Sequence, residues 1–275
     1  MGDEYEARIR AHRARREERL RDPEGWLALV GLSWLAPGEN RVGADPDADV
    51  ILRGPDAPEV AGRIVVADGR ARFVAAPDCD VTHGGAPVTQ IDLGDDLGGD
   101  PTVLAIGSLR FHLIRRGDRL GVRVRDLRAP ALAAFRGLDY FPVDPAWRLT
   151  LPFEAAGRGT TIPTPDVIGL ETDEPVAGWL QLTGDGVEQR LAVLPGGEDG
   201  ALWLIFGDAT NGETTYAGGR FLYTEPPRGD SVVVDFNLAY NPPCVFTPYA
   251  TCPLPPPGNR LPFAVRAGER GFRSS

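Results

Sequence analysis

Leu109-Arg110-Phe111-His112-Leu113-Ile114, a turn at Arg116-Gly117-Asp118, and Gly121-Val122-Arg123-Val124-Arg125-Asp126 form two alternating runs around a reversal. Successive side chains of an extended backbone point to opposite faces. Leu109, Phe111 and Leu113 therefore share one face, with Arg110, His112 and Ile114 on the other, and Val122 and Val124 alternate with Arg123 and Arg125. The pattern predicts paired antiparallel strands with one apolar face. Upstream, Val50-Ile51-Leu52, Arg63-Ile64-Val65-Val66, Ala71-Arg72-Phe73-Val74 and Val103-Leu104-Ala105-Ile106 alternate with turn clusters such as Asp45-Pro46-Asp47 and Ala67-Asp68-Gly69. Residues 40–126 thus read as an antiparallel sandwich.

Downstream the pattern returns. Residues 148–153, Trp179–Leu182, Gln189–Leu194, Leu202–Phe206, Arg220–Tyr223 and Ser231–Phe236 are apolar runs of strand length. Turns fall at Gly184-Asp185-Gly186, Gly196-Gly197-Glu198, Asn211-Gly212 and Arg228-Gly229-Asp230. This half predicts a second all-β sandwich or partly closed barrel. The connector between the halves carries Tyr140, Phe141 and Trp147, aromatic content that disordered linkers lack, so it reads as packed core.

The start of the chain differs. Residues 3–21 have high helix propensity and mixed charge, with Glu6 to Arg10 and Glu17 to Arg21 at i, i+4 spacing and only Tyr5, Ile9 and Leu20 as bulky apolar groups. That predicts a solvated helix lying along the body. Asp22-Pro23-Glu24 then reads as a cap with proline at the first helical position, predicting a second short helix that carries Trp26, Leu27, Leu29 and Val30.

Composition bounds the function. The chain of 275 residues is 42% hydrophobic, enough for a sizeable core, and Gly 34 with Pro 26 make up about a fifth of it, which suits many short strands. A net charge of -10 predicts a soluble protein and argues against nucleic acid or an anionic membrane surface as partner. All 29 basic residues are arginine, so a Schiff-base amine, a P-loop lysine and a lysine general base are excluded. The Met1-Gly2 start has Glu6 where a myristoylation signal needs Ser or Thr. Three cysteines without a signal-peptide pattern predict a reducing compartment, the cytoplasm by default.

Gly38-Glu39-Asn40-Arg41-Val42-Gly43, Asp49-Val50-Ile51-Leu52, Gly84-Gly85 before Val88, and Gly107-x-Leu109-x-Phe111 come in an order similar to a forkhead-associated (FHA) sandwich. In that family a Ser, an Arg and a His near the loops carry phosphothreonine recognition. The corresponding stretch here, Pro58-Glu59-Val60-Ala61-Gly62-Arg63, lacks the Ser and the His. The resemblance implies a fold of this kind used as a structural module.

Polar residues concentrate where the later strands should be. Asp208, Thr210, Thr215, Tyr216, Arg220, Asp235, Asn237, Tyr240, Asn241 and Arg260 interrupt apolar runs between residues 207 and 260. If the strands pair in sequence, Asp208, Arg220, Asp235 and Asn237 converge. One reading is a pocket in which Arg220 and Arg260 hold an anionic group while Asp208 or Asp235 handles a proton. The other is a polar network that satisfies loop backbone and holds the domain together.

Cys244 and Cys252 read as buried structural thiols, with a disulfide and a nucleophile as alternatives. Two thiols do not complete a tetrahedral zinc site, and the C-terminal half has no histidine, so no metal and no cofactor is assigned. Cys79 and His83 lie four apart in an ordinary loop.

The C-terminal pattern resembles the bacterial and archaeal DUF1684 family. It comprises Phe206-x-Asp208-x-Thr210-x-Gly212, Thr215-Tyr216-x-Gly218-Gly219-Arg220-Phe221-Leu222, Asp235-Phe236-Asn237-x-Ala239-Tyr240-Asn241-Pro242-Pro243-Cys244, Cys252-Pro253-Leu254-Pro255, Asn259-Arg260-Leu261 and Ala267-Gly268-Glu269. Gly31-Leu32-x-Trp34-Leu35 and Arg123-x-Arg125-Asp126 resemble it too. That family is one of unknown function, so the resemblance implies that these residues matter and supplies no reaction.

The resulting expectation is an all-β protein of two packed sandwich-like or barrel-like domains. Its parts are an N-terminal helical arm (1–36), an FHA-like sandwich (37–128), a packed connector (129–150) and a C-terminal domain (151–275) that carries the site. The expected function is binding of, or action on, a small molecule, anionic if the arginines hold it, in a C-terminal pocket. Asp208, Asp235, Tyr216 and Cys244 are the candidates for catalysis, and Thr210, Thr215, Arg220, Asn237, Tyr240, Asn241 and Arg260 for ligand contact. The alternative is a non-catalytic interaction module whose polar motifs stabilise the fold.

Overall fold

The computed structural model describes residues 2–197 and 199–272, so Met1 of the acylation reading and Glu198 of the expected turn lie outside the described residues. The described residues form two compact units: residues 19–135, and residues 2–18 together with those from 136 to 272. Each is built mainly of strands, and the fold is all-β with an N-terminal helix.

That helix, α1 (Gly2–Leu20), has Asp3 and Glu4 in its first turn and Arg19 in its last, a distribution that complements the helix dipole. The Arg10–Glu6 pair closes at 3.1 Å. Ile9 and Leu20 are fully buried, so α1 is anchored more firmly than a solvated helix.

The unit of residues 19–135 holds β1 (Leu29–Trp34), β2 (Gly38–Gly43), β3 (Val50–Ile51), β4 (Gly62–Ala67), β5 (Arg70–Ala75), β6 (Thr82–His83), β7 (Ala86–Pro87), β8 (Gln90–Leu93), β9 (Leu104–Ile106), β10 (Leu109–Arg116) and β11 (Arg119–Asp126), with a one-turn helix α2 (Pro130–Ala134) after them. The strands form two sheets, in the orders β1-β11-β10-β9-β6-β7 and β3-β2-β4-β5-β8. Val42, Ile64, Phe73, Leu104, Phe111, Val122 and Val124 of both sheets make one core. The hairpin between β4 and β5 reverses through Asp68 and Gly69, both in the left-handed region at φ 50° and 68°, the geometry a two-residue turn between twisted strands needs.

The second short helix expected after Asp22 does not form. Trp26–Ala28 is a single 3-10 turn, and Leu29 and Val30 begin β1, which pairs with β11 after a register shift between Leu29 and Gly31. Leu29-Val30-Gly31-Leu32 pairs with the edge of β11 that β10 leaves open, and that pairing overrides the local helix signal.

The other unit holds β12 (Arg148–Ala155), β13 (Thr161–Pro165), β14 (Glu171–Pro175), β15 (Gly178–Gly184), β16 (Val187–Pro195), β17 (Leu202–Phe206), β18 (Arg220–Tyr223) and β19 (Ser231–Asp235). One antiparallel sheet runs β18-β17-β16-β15-β12-β19, and β13-β14 is a separate hairpin. The core joins Leu180, Leu191, Val193, Leu204, Phe206, Val234 and Phe236, with Trp147 of the connector edge-on to Phe236 at 5.9 Å. Among the described residues, Leu194 pairs with Trp203 and Pro195 with Leu202 between β16 and β17. Asn259 fills the gap: its amide donates to Ala192 and Ile205 carbonyls, both at 2.8 Å, and its carbonyl accepts from Ala192 N–H at 2.8 Å.

Candidate functional site

Between β17 and β18 the chain leaves the sheet as an irregular loop, residues 207–219. Thr215 and Tyr216 lie in this loop, and β18 begins at Arg220, where the apolar run begins in the sequence. The cause is Asp208. Its carboxylate accepts from Thr210 N–H at 2.7 Å and from the Thr210 hydroxyl, turning the chain at once, while Asn211 Oδ1 accepts from Asp208 N–H at 2.7 Å. The Thr210 and Thr215 hydroxyls meet at 2.8 Å, and Asn211 donates to Thr215 Oγ1 at 2.9 Å. Short polar side chains bonding nearby backbone are an alternative to a strand ladder.

Arg220 secures this loop from behind. Its Nη2 donates to Asp208 Oδ2 at 2.7 Å and to the Val265 carbonyl at 2.8 Å, and its Nη1 to the carbonyls of Ala267 and Glu269. The side chain is completely buried, with the rings of Phe206 and Phe141 at 5.3 and 6.0 Å. Burial pulls its pKa down and Asp208 opposes the shift. The expected anion holder thus faces protein oxygens.

Asp235 and Asn237 form a separate cluster. Asp235 ends β19, and Phe236–Leu238 is a 3-10 turn, because the Asp235 carboxylate accepts from Asn237 N–H at 3.2 Å instead of letting the strand continue. Tyr5 of α1 donates its hydroxyl to Asp235 at 2.8 Å, and Arg8 pairs with the same carboxylate at 3.2 Å. Asn237 donates to the Tyr5 hydroxyl at 2.9 Å and to the Asp144 carbonyl at 2.8 Å. The four residues expected to converge therefore make two pairs in two networks.

A third network surrounds Glu269. Arg16 Nε donates to it at 3.0 Å and Asn241 N–H at 2.8 Å, while Arg16 Nη2 reaches the Asn241 carbonyl at 2.9 Å. The Asn241 amide donates to the Arg270 carbonyl at 2.7 Å. Tyr240 stacks on Tyr223 with ring centres 6.1 Å apart, Arg16 lies 5.0 Å over its ring, and burial followed by Tyr223 raises its pKa. Arg260 is exposed, held by a backbone bridge to Gly207.

In front of the loop lies a cleft of about 660 Å³, bounded by residues 212–217, Cys244, Val245, Asp139 and residues 270–272. Thr215, Tyr216 and Cys244 are the sequence-predicted residues that line it. Cys244 and Cys252 are joined as a disulfide, one of the two alternatives to buried free thiols, and Cys79 is the free cysteine. Eight residues apart, both Cys residues sit in a loop turned by the 3-10 segment Pro243–Val245, which brings the sulfurs together.

The charged groups in the walls are Arg270, Glu213 and Asp139. Sequence reading missed all three, although Arg270 directly follows the quoted Ala267-Gly268-Glu269 motif. The exposed Arg270 guanidinium lies 5.5 Å over Phe141 and makes no ion pair with a described residue. Arg270, Glu213 and Thr214 also border an adjoining hollow of about 440 Å³, which Arg266 lines as well. A larger hollow of about 790 Å³ lies in the sandwich unit, where Arg72 and Arg115 in its wall are already paired with Asp92 and Asp95. Among the described residues no group of three or more His, Cys, Asp or Glu side chains is placed to hold a metal ion, and no helix is long and apolar enough to cross a membrane.

Comparison with known proteins places these motifs. Residues 133–270, half of the chain, match the model of DUF1684, a protein family of unknown function; Gly31–Leu35 and Arg123–Asp126 lie outside the matched segment. An uncharacterised protein of Haloarcula marismortui, solved by solution NMR, is 34% identical over 50% of this chain and 77% of its own, with a TM-score of 0.41. The FHA domain of FhaA is 18% identical over 34% of this chain and 96% of its own, with a TM-score of 0.24. An FHA domain studied for phosphothreonine-dependent interactions is 19% identical over 34% of this chain and 92% of its own, again with a TM-score of 0.24. No curated protein matches the chain. On the extent of the family match, the chain belongs to the DUF1684 family.

Proposed function

We propose that the protein binds a small molecule carrying a carboxylate or phosphate in the cleft between residues 212–217 and 270–272. Arg270 holds the anionic group, and Tyr216 and Thr214 border the remainder of the ligand. The observation that carries this reading is an exposed guanidinium in the wall of a cleft of about 660 Å³, without an ion-pair partner among the described residues. A planar fork of donors suits carboxylate and phosphate alike. Glu213 and Asp139 in the same walls favour a ligand that also carries a donor or a positive group. Asp208, Thr210 and Arg220 then act at one remove, by fixing the loop that forms the wall.

A second reading, a non-catalytic interaction module, is favoured by the closed networks of Asp208 with Arg220 and of Asp235 with Tyr5 and Asn237. Thermal-shift titration with a library of carboxylates and phosphates separates the two. A hit that stabilises wild type in proportion to concentration and fails on Arg270→Gln, whose ligand-free melting temperature is unchanged, supports the cleft. No hit, or hits indifferent to Arg270→Gln, leaves the module reading.

A further inference from the structure

Arg220 does more than tie the loop after β17. Its guanidinium donates to the carbonyls of Val265, Ala267 and Glu269, and the side chains of those three residues are buried. On the same segment Arg266 and Arg270 are exposed. One buried cation thus fixes the backbone that presents two further cations to solvent.

Both exposed arginines line the hollow of about 440 Å³, whose wall also includes Phe141 and Thr214. The Arg270 guanidinium lies 5.5 Å over the Phe141 ring, which puts it at the wall of this hollow. Neither arginine makes an ion pair or a side-chain hydrogen bond with a described residue. Glu213 borders the same hollow, so its charged wall groups are two arginines and one carboxylate. In the adjoining cleft of about 660 Å³ Arg270 faces the opposite balance, Glu213 with Asp139. Negative charge is therefore favoured in the smaller hollow and donor groups in the larger cleft.

Backbone bonds hold the rim. Phe141 N–H donates to the Gly268 carbonyl at 3.0 Å, Gly271 N–H to the Thr214 carbonyl at 2.9 Å, and Ala209 N–H to the Phe263 carbonyl at 3.1 Å. Walls fixed before a ligand arrives reduce the ordering cost of binding.

The two arginines select among anions. A carboxylate brings a single charge and two oxygens, which one bidentate guanidinium satisfies. A phosphate monoester brings a charge of about -1.5 to -2 at neutral pH and three acceptor oxygens, enough for two guanidinium groups. We infer, on the basis of the Arg270 cleft proposed above, that its ligand is a small-molecule phosphate monoester. The phosphate sits between Arg266 and Arg270 in the smaller hollow, and the body of the molecule lies in the larger cleft.

The test is isothermal titration of phenyl phosphate, benzoate and phthalate, which share one ring, and of inorganic phosphate. Each is titrated at constant ionic strength into the full chain and its Arg266→Gln and Arg270→Gln variants. Phenyl phosphate should bind saturably and about tenfold or more tighter than each of the other three. Arg270→Gln should weaken every probe that binds. Arg266→Gln should melt as wild type does, since the side chain is exposed, and should remove most of the preference for phenyl phosphate over benzoate. Benzoate as tight as phenyl phosphate, or a preference unchanged in Arg266→Gln, overturns the phosphate assignment. Weakening by Arg270→Gln would then leave the cleft standing as a carboxylate site. Phthalate as tight as phenyl phosphate overturns the assignment in favour of a dicarboxylate, and inorganic phosphate as tight overturns it in favour of the free anion. No saturable binding by any of the four, or phenyl phosphate binding indifferent to Arg270→Gln, overturns both the assignment and the cleft reading.

Discussion

Arg220 and Asp208 meet at 2.7 Å with neither side chain exposed to solvent. The pair joins the loop after β17 to the backbone of residues 265–269, so the arginine expected at the surface of a pocket is an internal tie.

Breaking that tie from one side leaves a bare charge in the interior. Asp208→Asn and Arg220→Met should each cost about 3–5 kcal/mol in urea denaturation. The double replacement Asp208→Leu with Arg220→Met should cost less than the sum of the single changes, because no charge is stranded.

Tyr5 and Arg8 are contacts through which α1 reaches β19. Tyr5→Phe keeps the ring and removes the hydroxyl that donates to Asp235 and accepts from Asn237. The expected loss is about 1–3 kcal/mol of stability, read as a lower denaturation midpoint with unchanged slope.

His112 should make stability depend on pH. Its pKa falls from 6.5 unfolded to about 4 folded, through burial first and then Arg125 and Arg123. Between those values the unfolded chain binds the extra proton, so the contribution is complete above pH 6.5 and is lost as pH falls toward 4. The shift corresponds to about 3 kcal/mol. His112→Gln should flatten the wild-type slope in that window, and an identical slope in the variant would assign it to other groups.

The disulfide is checked by alkylation under denaturing, non-reducing conditions, where Cys79 alone should react. Cys252→Ser removes the cross-link, and the short loop it closes predicts a loss of about 2–3 kcal/mol.

Local rules account for much of the architecture. The alternation of Leu109, Phe111 and Leu113 states which face of β10 enters the core, and Asp68-Gly69 and Asp185-Gly186 supply the left-handed residues that two-residue hairpins need. These signals lie within a few residues of what they determine. The helix expected over Trp26–Val30 fails because its competitor, the edge of β11, is about a hundred residues away. The site was legible as a concentration of polar residues and not as an assignment of roles. Nothing near Arg220 in the chain states that the carbonyls of Val265 and Ala267 fill its donors, and nothing near Asp235 states that Tyr5 is its partner. Arg270, by contrast, is exposed and outside every quoted motif, so pattern alone passes over it.

The bond from Tyr5 to Asp235 spans 230 positions of sequence. During synthesis α1 therefore leaves the ribosome long before the strand it docks on exists. Residues 19–135 have a core of their own and can close in the interval. The second unit has to wait for β19, and the wait explains the composition of α1. A helix with Ile9 and Leu20 as its buried apolar anchors and an Arg10–Glu6 pair on its polar side offers newly made neighbours little apolar surface to aggregate on.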